Sequence, residues 1–208
     1  MSTRVMVFID YWNFQLRLNQ LEARKKGLAD YRFKINWAIL GPLLAQKACE
    51  AVKIADPVFE GCTIYTSFNP GTEEGKRFHH WATTWLGKQV GVTVEIRERK
   101  PKNLPRCPNC YAEIATCPSC ASPIKATVEK GVDTLIATDM VRLAWEQAYD
   151  IAVLATSDAD LIPAVEFLRL KARKVIQAGF PPAGSDLAMA CWASFDVFPH
   201  RAELLRGA

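Results

Sequence analysis

Apolar runs of strand length occur at Val5 to Ile9, Cys62 to Phe68, Val92 to Ile96, Ile151 to Ala155 and Lys174 to Ala178. Between them, apolar positions recur at helical spacing over residues of about 12–28, 36–52, 73–89, 131–148 and 159–172. Turn-forming residues punctuate the joins, as in "FNPGTEEG" and "GFPPAGSD". Strands that alternate with helices of this length pair in parallel through right-handed crossovers. The pattern therefore predicts a three-layer, Rossmann-like α/β domain over residues 1–208, built on a parallel sheet of about five strands.

Composition bounds this picture without changing it. The 208 residues are half hydrophobic and 23% charged, enough for one domain with a sizeable core. A net charge of +4 permits nucleic acid as a partner without demanding it. No apolar stretch approaches the roughly 18 residues of a membrane span, and the run Val5 to Ile9 is too short and badly flanked for a signal peptide. The expectation is a cytoplasmic protein with no membrane partner. Nothing in the sequence sets an oligomeric state.

The cysteines single out one segment. Cys49, Cys62 and Cys191 stand alone in apolar surroundings, as core residues do, whereas Cys107, Cys110, Cys117 and Cys120 form "CPNC" and "CPSC". Two C-x-x-C knuckles supply the four thiolates of a tetrahedral zinc site. A redox C-x-x-C would instead open a helix after a strand, and neither pair does. From Lys100 to about Thr127 the chain is proline-rich and poor in large apolar residues, so it cannot bury enough surface to order itself. Bound Zn²⁺ supplies the missing free energy, on the order of 10 kcal/mol in small sites. Residues 100–127 are thus expected to be a zinc-ribbon insertion in the α/β domain.

The acids come next. In an open α/β sheet, sites form outside the carboxyl ends of the strands where the strand order reverses. Asp10 ends the first apolar run in "VFIDYWNF", and Ser157, Asp158 and Asp160 follow the fourth in "IAVLATSDADL". Asp133 lies in the first turn of the helix opening "EKGVDTLIATDM"; Asp139 lies about two turns on and roughly 240° around, which favours a surface role. Any one of these acids could be a helix cap worth about 1 kcal/mol. Together, three carboxylates at one sheet edge repel unless protons or cations intervene. Oxygen ligands of this kind favour Mg²⁺ or Mn²⁺.

The ordered set "FIDYWN", "EKGVDTLIATD" and "ATSDADLIPAVEFLRLKARKV" resembles an NYN domain of the LabA-like kind, within the PIN-like nuclease superfamily. The resemblance spans nearly the whole chain outside the knuckles. It implies a sheet of order 3-2-1-4-5 and an acidic, metal-dependent ribonuclease site acting on RNA, possibly single-stranded. By position, Asp10, Asp133 and Asp158 match the metal-binding acids, Asp160 a further acid, and Asn13 the amide after the first strand. Tyr11 stands where many relatives have Gly, and Thr156 and Ser157 where many have Ser-Gly, so bulk is added beside the site.

Substrate contacts are sought among the cations. Arg97, Arg99, Lys100, Lys102 and Arg106 form the clearest basic run, opposed only by Glu98, and Lys130 stands beside Asp133. These could follow a phosphate backbone, or could simply be solvated. Phe78, Trp81 and Trp85 recur at i, i+3 and i+7, the spacing of a core stripe more often than of a base-stacking platform. Two other functions fit the same residues. One is a catalytically degenerate module whose ribbon recruits RNA or a protein partner. The other is a phosphatase with Asp10 as nucleophile, disfavoured because Trp12 occupies the place of its usual second acid.

Overall fold

The computed structural model describes residues 2–124 and 127–206; residues 125 and 126 of the expected insertion lie outside them. In chain order the main elements are β1 (Thr3–Asp10), α1 (Tyr11–Lys26), α2 (Trp37–Ala51), β2 (Pro57–Phe68), α3 (Glu73–Thr84), β3 (Val92–Glu98), β4 (Lys100–Pro101) and β5 (Thr127–Val128). These are followed by α4 (Val132–Trp145), β6 (Ile151–Ala155), α5 (Ile162–Leu170), β7 (Lys174–Gly179), α6 (Ser185–Ala190) and β8 (Ala193–Asp196).

Six strands form one parallel sheet in the order β3-β2-β1-β6-β7-β8. The first five reproduce the expected 3-2-1-4-5 arrangement, and β8 adds a sixth at the edge. Its four residues, "ASFD", alternate in exposure and carry too short a pattern to announce a strand. The six residues of α6 are likewise too few to show a helical period. Two helix bounds also move. Residues 159–161 form a 3₁₀ turn before α5, and α3 stops at Thr84 ahead of another 3₁₀ turn over 86–88.

Burial follows the period of two along β1. Val5, Val7 and Ile9 face a core shared with Phe14 and Leu18 of α1 and Leu40 and Leu44 of α2. Phe8 faces the opposite core, with Ile136 and Met140 of α4 and Val165 and Leu168 of α5. A strand covered on both faces has no polar side to display, which explains the unbroken apolar run. The strand order reverses on either side of β1, so the ends of β1 and β6 open a crevice between them.

The insertion leaves beside β3 and is clasped by β4 and β5, where Lys100 pairs Val128 and Pro101 pairs Thr127. Each knuckle makes the same turn. The N–H of Tyr111 donates to Cys107 O and that of Ala121 to Cys117 O, both at 2.9 Å, with positive φ at Tyr111 and Ala121. Arg106 bridges Glu113, and Thr116 bridges Pro123, so the segment is two successive knuckle turns.

Candidate active site

Asp10 is both the last residue of β1 and the cap of α1. Its Oδ1 accepts from the Asn13 N–H at 3.1 Å, and its Oδ2 accepts from the Thr156 hydroxyl at 3.4 Å. The residue is only 5% exposed. Burial foremost, with the carboxylates of Glu129, Asp133 and Asp158 adding to it, raises the Asp10 carboxyl to about 7 against the lowering effect of the Asn13 hydrogen bond. Asp133, in the first turn of α4, is likewise raised by burial and then by Asp158, Glu129 and Asp160. The structure thus brings Asp10, Asp133, Asp158 and Asp160 to one edge of the sheet.

The loop after β6 is fixed from two sides. Asn13 Oδ1 accepts from the Ser157 N–H at 2.9 Å, the Asp158 N–H donates to Thr156 Oγ1 at 3.2 Å, and Asp158 Oδ1 accepts from the Asp160 N–H at 2.9 Å. Asn13 therefore ties the start of α1 to the loop carrying Asp158. From β7, buried Gln177 donates to Thr156 O and Gly184 O. Gly184 has φ +73°, and a Cβ there would meet Ser157 Cα at 2.8 Å, so this approach requires glycine.

Glu129 is the site residue the sequence did not disclose. It lies one residue after β5 and accepts a hydrogen bond from the Ser67 hydroxyl at the end of β2. Arg99 donates to the same Ser67 oxygen at 2.9 Å and lies 3.9 Å from Glu129 Oε2. Trp12 donates its indole N–H to Ser67 O at 2.7 Å, and the Arg99 guanidinium sits 5.3 Å over the Trp12 ring. Its one trace in the sequence is its place in "EKGVD", three residues ahead of α4, where no period marks it.

The remaining expectations divide. Asp139 stands apart from the acids, accepting from Tyr65 and pairing with Arg142. Arg99 and Arg106, read as phosphate contacts, are engaged within the protein by Glu129 and Glu113 respectively. Arg97, Lys100, Lys102 and Lys130 are exposed. In the insertion, N–H groups of Cys110 and Asn109 hold the Cys107 thiol below its ordinary value, and Ser122 and Cys117 do so for Cys120. Such donors suit thiolate sulfur. The four cysteines remain as two pairs, and among the described residues no three His, Cys, Asp or Glu side chains are gathered closely enough to share an ion. One shared zinc would require the knuckles to close on each other. The acid cluster suits a divalent cation by its chemistry, with oxygen donors only, mutually repelling and partly desolvated, but its carboxylates too would have to draw together to share one ion.

No helix among the described residues is long and apolar enough to cross a membrane. No curated protein matches the chain closely enough to count as a relative. A crystal structure of a protein of unknown function from Vibrio parahaemolyticus is similar in fold, with a TM-score of 0.51 at 16% identity over 94% of each chain. Residues 4–196 match the NYN domain, a stretch that runs from β1 to β8 and contains every acid of the cluster, so the chain belongs to the NYN domain family, a family of PIN-like nucleases.

Proposed function

We propose that the protein is a divalent-metal-dependent ribonuclease whose site is the acid cluster at the carboxyl ends of β1 and β6. The observation that carries this reading is the buried Asp10, whose carboxyl is pushed up to about 7 in the company of Glu129, Asp133 and Asp158. Such a group is held in a state that a cation would relieve. Asp10, Asp133 and Asp158 would hold Mg²⁺ or Mn²⁺. Bound there, the cation would supply Lewis-acid stabilisation to a phosphodiester and lower the pKa of a water.

The chain's own residues prepare that chemistry. Asn13 fixes one Asp10 oxygen through its N–H and fixes the Asp158 loop through its side chain. Thr156 links the Asp10 carboxylate to the Asp158 backbone. Asp160, exposed beside Asp158, would accept a proton from a water. The insertion would have a structural part: with the two knuckles closed on each other, Cys107, Cys110, Cys117 and Cys120 would hold one zinc.

The test is cleavage of labelled single-stranded RNA in the presence of Mn²⁺ or Mg²⁺. Wild type is expected to cleave and Asp10→Asn to lose at least a hundredfold in rate, on the order expected when a cation ligand is removed. Equal rates for the two preparations would move the activity to another site or a contaminant.

A further inference from the structure

Beside the acids, across the wall formed by Trp12, Ser67 and Arg99, lies a cavity of about 600 Å³. That volume is in the range of small-ligand sites. Its floor and sides are aromatic. Trp12 and Phe78 have ring centroids 5.2 Å apart at 39°, and Phe78 and Trp81 are 5.8 Å apart at 39°. All three rings are half-buried, packed against the core on one side and lining the cavity on the other. Tilted rings at these separations do not cover one another's faces as a flush stack would. The stripe that reads as core in the sequence is therefore core on one face only. Tyr11, stacked on Trp37 at 4.5 Å, closes the inner end.

The rim is cationic. Arg32, Lys34, Arg77 and Arg206 line the cavity with Arg99, against a single acid, Glu74, which pairs with Arg77 at 3.1 Å. Among the described residues Arg32, Lys34 and Arg206 have no ion-pair partner. Cations thus gather on the aromatic side of the Trp12–Ser67–Arg99 wall and carboxylates on the other.

The geometry points to a nucleobase subsite in this cavity: it stacks a flat base of single-stranded nucleic acid on the ring faces that line it, with the flanking phosphates on Arg32, Lys34 and Arg206. The inference rests on the nuclease reading for its purpose, which is to seat one nucleotide while the neighbouring phosphodiester reaches the acids past Ser67. Flat aromatic groups joined by regularly spaced anions are what open ring faces under a cationic rim complement. A duplex keeps its bases stacked inside and has nothing to insert.

The test is affinity, measured in EDTA so that turnover plays no part, for a fluorescein-labelled oligoadenylate, the same strand with one internal abasic site, and a duplex of equal length. Wild type is expected to bind the intact strand roughly tenfold to a hundredfold more tightly than the abasic one, the worth of one base stacked on an aromatic residue. Trp81→Leu is expected to bind both alike. Because Trp81 also packs on the core, the exposed pair Arg32→Ala with Lys34→Ala gives an independent arm. It should weaken binding and flatten the slope of log affinity against log salt by about 0.7 for each phosphate no longer neutralised. Equal binding of intact and abasic strands by wild type, preference for the duplex, or displacement by a Tyr-containing acidic peptide as effective as by oligoadenylate would each overturn the subsite. Base-dependent binding without Mn²⁺-dependent cleavage would sink the nuclease reading and leave the subsite standing. Cleavage with base-independent binding would do the reverse.

Discussion

Asp10 is held in the fold against its own ionisation. Unfolded, its carboxyl titrates near 3.8; folded and without metal, near 7. Between those values the folded chain keeps a proton that the unfolded chain has released. Stability that is fully present below 3.8 is therefore lost progressively as the pH rises to about 7. Asp10→Asn suffers no such loss. Well above pH 7 the metal-free variant is expected to exceed wild type in unfolding free energy by on the order of 2–4 kcal/mol, with the gap closing in acid. Denaturant unfolding across pH checks this, and parallel curves for the two proteins would mean that Asp10 ionises freely in the fold. Glu129 acts at the same scale. It accepts from Ser67, sits near Arg99 and raises the carboxyls of both Asp10 and Asp133. Glu129→Gln keeps the shape and removes the charge, so Mn²⁺ affinity by calorimetry is expected to fall roughly tenfold to a hundredfold with the fold intact. An unchanged affinity would confine Glu129 to orienting Ser67 and Arg99.

At the scale of elements, what the sequence revealed and what it hid have physical causes. Buried parallel strands must be apolar throughout, so β1 and β6 announce themselves, and ligands at their carboxyl ends stand out as acids closing an apolar run. Asp133 is legible because it falls in a helix's first turn. Glu129 is not, because it belongs to the stretch between β5 and α4 that has neither period, and its partners Ser67 and Arg99 come from distant segments. The cavity was hidden for the same reason, being assembled from α1, the 32–37 segment, α3 and the chain beyond β2. The insertion gives the sharpest element-scale test. Its described hydrogen bonds are a few backbone contacts around two knuckles and the exposed Arg106–Glu113 pair, little to hold a segment with scant apolar burial. Protein purified without added metal is expected to carry about one zinc per chain. Chelation should open residues 100–128 to protease while the helical circular dichroism of the rest persists. A zinc-free protein whose insertion resists protease would show that the knuckles hold themselves.

For the whole molecule, the cluster joins pieces that the chain order keeps far apart. Asp10 and Thr156 are 146 residues apart in sequence, as are Arg4 and Asp150 at the opposite end of the same strand pair. The hydrogen bond of the first pair links Asp10, through Thr156, to the Asp158 loop, and α4 delivers Asp133 from the far core. A cation held by Asp10, Asp133 and Asp158 would thus bridge both halves of the sheet and favour only the folded chain. Binding of that kind stabilises by mass action, by about 2.7 kcal/mol at a hundredfold excess over the dissociation constant. Wild type is therefore expected to rise in Tm with Mn²⁺ and Asp10→Asn to respond far less. The sign of the pH dependence is also set. Metal binding must displace the proton that Asp10 retains below about 7, so the Mn²⁺-induced shift should be smallest in mild acid and grow as the pH passes that value. Thermal melts with and without Mn²⁺ across this range decide it: a shift independent of pH, or equal in Asp10→Asn, would place the stabilising metal elsewhere in the molecule.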